Sequence, residues 1–113
     1  MTGGIRSLLW YLLAGTRGGP NRLRILNALQ GRPHNAHQLA QSLAMDYRTV
    51  RHHLKLLEQN GLVTRPSGTA YASPYELTPY LSANFHEVES VLTASHRPRG
   101  SRSPTILGRV DPA

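Results

Sequence analysis

The sequence predicts a mainly α-helical domain with one small β-hairpin, and three observations carry that prediction. Between Asn35 and Asn60, two stretches of helical apolar spacing are joined only by Ala44-Met45-Asp46. Directly after them, Leu62-Val63-Thr64-Arg65, the turn Pro66-Ser67-Gly68-Thr69 and a return over Tyr71–Leu77 read as a hairpin. Apolar helical stripes flank this unit, Ile5–Leu13 before it and Tyr80–Leu92 after it. Two helices in a tight turn followed by a hairpin make a winged helix-turn-helix, here with additional N- and C-terminal helices.

The first stripe consists of Ile5, Leu8, Leu9, Leu12 and Leu13, widened by Trp10 and Tyr11. Its alternative reading is a signal peptide, with Arg6 ahead of the apolar run and Ala14-Gly15 at a cleavage point. The run is short, and Gly-rich punctuation leads straight into another helix, which argues against that. A membrane span needs ~20 apolar residues, so that reading is excluded. Pro20 suits the first turn of the next helix, which runs to about Gln30 with Leu23, Ile25, Leu26 and Leu29 on its core face. Arg17 and Arg22 read equally well as phosphate contacts or as solvated charges.

Pro33 stops that helix, and Asn35 with Gln38 fits a capping box for the one that follows. Ala36, Leu39, Ala40 and Leu43 give it an apolar face. His34 and His37 beside it read as solvated. Asp46 is placed to cap the second helix of the pair. Val50, Leu54 and Leu57 form the buried stripe of that helix, flanked by Leu56, and Asn60-Gly61 ends it. His53 lies beside the stripe and reads as a hydrogen-bonded structural histidine. Pro74 confines the second hairpin strand to an edge. Thr78-Pro79 opens the last helix, whose apolar face is Tyr80, Leu81, Phe85, Val88, Val91 and Leu92.

Away from its apolar stripe, the second helix of the pair turns Tyr47, Arg48, Arg51, His52 and Lys55. Residues three or four apart share a face. A merely solvated face mixes both signs, whereas Glu58 is the only acid of this helix beyond its Asp46 cap. Arg is suited to bidentate bonding of guanine and Lys to phosphate. The predicted DNA-contacting set is therefore Tyr47, Arg48, Thr49, Arg51, His52 and Lys55 on this helix, with Arg65 on the wing.

Charge points the same way. The 113 residues suit one domain and not two. They hold 13 basic side chains, all Arg except Lys55, against 6 acidic, for a net charge of +7 and a pI near 10.8. Residues 1–60 carry eight basic and two acidic groups, residues 61–95 one and three, and residues 96–113 four and one. The hydrophobic fraction of 39% is low for a compact domain and fits residues 1–95 as the folded part. Residues 96–113, with Arg97, Arg99, Arg102 and Arg109, then form a basic, disordered tail in which Ile106 and Leu107 dock weakly at most. With no Cys in the chain, disulfides and thiolate metal sites are excluded.

The run LAMDYRTVRHHLKLLEQNGLV resembles the ArsR-like winged-helix transcription regulators. Their pattern of Thr-Val-x-x-His-Leu, a leucine ladder and a Gly-Leu-Val opening the wing is matched by Thr49, Val50, His53, Leu54, Leu57, Gly61, Leu62 and Val63. WYLLAGTRGGPN, from Trp10 to Asn21, looks like the archaeal branch of that group, and the resemblance spans roughly Ile5 to Leu92. It implies a cytoplasmic homodimer on double-stranded DNA, with the terminal helices forming the dimer interface. Some members bind zinc on the last helix. Here His86 and Glu89 share a face with Glu87 adjacent, but the aspartate and second histidine of that pattern are missing. Neither a metal nor a cofactor is expected.

No nucleophile with its base, paired acids or phosphate-binding glycine loop is visible, so an enzyme is not expected. The expected function is a sequence-specific DNA-binding regulator with double-stranded DNA as partner, no membrane, and an effector the residues do not name. The rival class is a winged-helix protein-interaction or RNA-associated docking module, because fold alone does not fix function.

Overall fold

The computed structural model describes residues 4–96. Helix α1, Gly4–Leu9, runs into a wider π-helical turn, Trp10–Ala14, closed by the Gly15 amide donating to the Trp10 carbonyl at 2.8 Å. Helices α2 (Gly19–Gly31), α3 (Ala36–Leu43) and α4 (Tyr47–Gln59) follow. Strands β1 (Val63–Thr64) and β2 (Glu76–Leu77) form the wing, and α5 (Pro79–Ala83) and α6 (Phe85–His96) complete the order. The tail beyond His96, with its expected disorder and weak docking, lies outside the described residues.

One core joins all of these elements. Leu9, Leu12, Ile25, Leu26, Leu39, Val50, Leu54, Leu57, Leu62, Leu81 and Val88 are sealed within it. Each such side chain contributes about 1.5–3 kcal/mol of burial. The N-terminal stripe corrects one expectation. Leu9, Leu12 and Leu13 are covered by the chain's own α2 and α6 rather than held out for a partner, while Trp10 and Tyr11 remain 45% and 60% exposed. At the other end Tyr80 is exposed, so it is not part of the buried face assigned to it.

The expected single last helix is two. Asn84 breaks it by donating its amide to the Leu81 carbonyl, a tighter turn, while its side chain takes the Tyr80 carbonyl. The bend lets both Leu81 and Phe85 reach the core. Gly19 has a packing reason of its own: a Cβ there would lie 2.1 Å from the Leu13 carbonyl oxygen, so only glycine lets α2 meet the π turn this closely.

The wing is shorter than its sequence suggests. Its ladder consists of Val63 opposite Leu77 and Thr64 opposite Glu76, not of strands over 62–65 and 71–77. Pro66 and Pro74 cannot donate to a ladder. Turns closed by Gly68 onto Arg65 and Ser73 onto Ala70 carry the chain around the tip instead. Tyr75 pairs with His34, the two residues exchanging amide–carbonyl bonds of 2.8 and 3.2 Å. His34 is consequently buried, against the solvated role its position suggested.

Candidate nucleic-acid interface

The α3–α4 turn is built as its residues dictate. Asn35 and Gln38 form a reciprocal capping box, and the Asp46 carboxylate accepts from the Thr49 amide at 3.2 Å. Ala44 takes the left-handed conformation at φ 54° that turns the chain between the helices. At the far end of α4, Gly61 at φ 73° lets the Leu62 amide reach the Leu57 carbonyl and the Gly61 amide reach that of Glu58. This Schellman closure satisfies helix-end carbonyls and drives Leu62 into the core beside Leu57.

With α4 fixed at both ends, its faces separate cleanly. Val50, His53, Leu54 and Leu57 are buried. Arg48, Arg51, His52 and Lys55 are exposed, and with Gln59 on α4 and Arg65 and Tyr75 from the wing they line an open groove of about 560 Å³. Such a groove, cationic along one wall, has the chemistry of a duplex-binding surface.

The remaining sequence-predicted contacts are placed differently. Thr49 is half-buried, with its amide engaged by Asp46. Tyr47 is also half-buried: its ring stacks on His37 at 4.2 Å and its hydroxyl accepts from Arg51 Nη1 at 3.0 Å. That hydrogen bond, followed by the phenol's electrostatic pull, raises the already high pKa of Arg51, which is a fixed cation. Arg65 does not project freely. It forks onto the Glu58 carboxylate with bonds of 2.9 and 3.2 Å and lies over the Tyr75 ring. The structure thus gathers Arg48, Arg51, His52 and Lys55 on one open face and engages Tyr47, Thr49 and Arg65 within the protein.

Arg22, weighed as a phosphate contact or a solvated charge, is neither. It is buried, and its Nε donates at 2.9 Å to the Leu12 carbonyl near the end of the π turn, an acceptor it shares with the Thr16 hydroxyl. Its Nη groups reach Thr16 Oγ1 and His53 Nδ1. His53 accepts from Arg22 at 3.2 Å, which confirms it as a structural histidine and requires its neutral form. Burial, then the nearby Arg22 and His52, push the His53 pKa below its usual value, and burial lowers that of Arg22. Arg24 caps the α3 C-terminus by donating to the Leu43 carbonyl.

Sequence reasoning missed His37 and Glu58 as neighbours of this face; Tyr71 reads from the sequence equally well as a DNA contact or as hairpin packing, but its bond to His37 was not foreseen. Glu58 was legible as the lone acid seven residues before Arg65. No local spacing ties His37 or Tyr71 to Tyr47. On α6, Glu87 pairs with Arg6 at 3.0 Å and lies 3.6 Å from His86. Among the described residues no three His, Asp or Glu side chains converge as metal ligands, and no helix is long and apolar enough to cross a membrane.

Comparison with known proteins agrees with this geometry. Residues 19–65, from the start of α2 to the first wing strand, match the family described as bacterial regulatory protein, arsR family. No curated protein matches the chain. Over residues 19–65 the helix-turn-helix of this chain is similar to that of the arsR regulatory family, and the architecture around it is that of a winged helix-turn-helix DNA-binding regulator.

Proposed function

We propose that the protein acts in the cytoplasm as a homodimer that recognises a specific duplex sequence through the exposed face of α4. The observation that carries this reading is the convergence of Arg48, Arg51, His52 and Lys55 on one open groove beside the wing. Arg48 and Arg51 lie toward the N-terminal half of α4, the part of a recognition helix that meets base edges, and Lys55 follows toward the backbone. Tyr47 and Thr49 flank this set, and Arg65 joins it by exchanging Glu58 for a phosphate. The dimer reading is supported by Trp10 and Tyr11, two large aromatic side chains left exposed on the N-terminal helical segment. A two-fold pair would set the recognition helices about 34 Å apart.

Selection of bound sites from a randomised duplex library, followed by a salt titration on the selected site, tests the reading. A recovered palindrome and a steep log–log salt slope, ~0.9 for each phosphate neutralised, are expected. A protein-docking module would recover no motif and show a shallow slope. Sedimentation tests the assembly. Trp10→Glu with Tyr11→Glu should yield monomers, whereas Leu9→Glu would act on the protomer's own core. A wild-type protein that sediments as a monomer at micromolar concentration contradicts the dimer.

A further inference from the structure

Three rings connect the tip of the wing to the reading face of α4. Tyr71, in the wing loop, is 71% exposed and hydrogen-bonds through its hydroxyl to His37 Nε2. The two rings meet edge-on, with centroids 5.2 Å apart. His37, near the start of α3, lies nearly parallel to Tyr47, with an angle of 14° between the planes and 4.2 Å between centroids. Tyr47, the first residue of α4, then accepts a hydrogen bond from Arg51 one helical turn on. The wing loop is tied to α3 separately, by Asn35 Nδ2 toward the Ala72 carbonyl at 3.5 Å and by the Tyr75–His34 bridge. Tyr71 is therefore not needed to attach the wing. So exposed a side chain adds little burial, and its bond to His37 is polar and directional.

Arg51 is exposed and would otherwise sample many rotamers. Bidentate recognition of a base needs the guanidinium plane in one orientation, and an arginine ordered in advance loses less freedom on binding. The Tyr47 hydroxyl occupies an N–H of Nη1 and leaves the other donors of the fork free. Tyr47 can do this only while its own ring is held, and His37 is the plane stacked upon it. From this placement we infer that His37 and Tyr71, neither of which lies on the recognition helix, are positioning residues for sequence readout. They fix Tyr47, Tyr47 fixes the Arg51 guanidinium, and the wing tip is coupled to the base that Arg51 reads. The inference rests on the reading of Arg51 as a base contact.

The experiment is selection from a randomised duplex library by the full chain and by Arg51→Ala, His37→Ala, His37→Phe and Tyr71→Phe, scoring base preference at every position. Affinity for a scrambled duplex and the thermal midpoint are measured alongside. Arg51→Ala identifies the base position concerned. His37→Ala should lower discrimination at that position by about fivefold or more, the scale of one bidentate contact, and leave the other positions unchanged. Scrambled-duplex affinity and the thermal midpoint should stay near wild type. His37→Phe keeps the stack and should keep most of the preference. Tyr71→Phe should cost about twofold at the same position. Full preference in His37→Ala overturns the inference while leaving the reading of Arg51 intact. So does an equal loss at all positions together with a lowered midpoint, which marks a purely structural role. An Arg51→Ala variant with unaltered preferences overturns both.

Discussion

Helix α4 and the wing lie side by side along the groove, yet they are stabilised in different ways. Helix α4 is specified locally. Asp46 caps it, a Schellman turn at Gly61 ends it, and a 3.6-residue period divides its buried from its exposed side chains. The wing has only two ladder pairs, and its loop is tied to residues far away in the chain: His34 bridges Tyr75 and Asn35 reaches Ala72, with His37 meeting Tyr71 at the tip. Cationic side chains follow the same division. Those of α4 are presented outward, whereas Arg65 is turned back onto Glu58. The contrast teaches that α4 is specified by its own segment, whereas the wing is positioned by side chains elsewhere on the scaffold.

Stability should show this difference most strongly. Leu54→Ala, in the sealed stripe of α4, should cost about 2–5 kcal/mol in denaturant unfolding. Tyr71→Ala, at the exposed wing tip, should fall within about 0.5 kcal/mol of wild type. Comparable losses at the two sites would remove the distinction between the elements.

Acid sharpens the same comparison, because the buried His53 belongs to α4 and not to the wing. The folded protein holds His53 neutral beside Arg22, with its pKa below that of the unfolded chain. The unfolded state therefore binds more protons as pH falls. The stabilisation from neutral His53 is present above the ordinary histidine pKa and is lost as pH descends through the depressed folded value. Unfolding midpoints recorded from pH 7.5 down through this window should decline for wild type, and the decline should be shallower for His53→Gln. An identical pH dependence in the two proteins would show that His53 is not the group responsible.

A smaller effect is expected at the edge of the wing. Glu58 pairs with Arg65 and, among the described residues, is the one acid lining the groove. The pair is partly exposed, so it contributes less than about 1 kcal/mol to stability. Glu58→Gln should leave unfolding almost unchanged and tighten duplex binding several-fold, because Arg65 no longer gives up an ion pair to reach a phosphate. Weaker binding would mean that the ion pair positions Arg65 for DNA instead of withholding it.

This division also explains what could be read from the chain. The capping box at Asn35, the Asp46 cap, the Gly61 stop and the polarity of α4 are local patterns of three to seven residues, and each is found where it was expected. Arg22 escaped because its buried role depends on a carbonyl at the end of the π turn and on His53 of α4, at separations of 10 and 31 residues. His34 and His37 escaped for the same reason: their partners Tyr75 and Tyr71 lie in the wing, far along the chain. The break at Asn84 was missed because apolar periodicity continues across it, and only the side-chain bond to Tyr80 reveals the competing turn.

The most direct test of the central claim is the affinity of wild type and Arg51→Ala for the selected duplex and for a scrambled one across a range of salt. If the outward face of α4 reads sequence, wild type prefers the selected site and both duplexes show steep salt slopes. Arg51→Ala then loses about 1–3 kcal/mol on the selected site, and its scrambled-duplex affinity changes far less. Equal wild-type affinity for the two duplexes, or an Arg51→Ala variant that binds both as wild type does, would contradict the account.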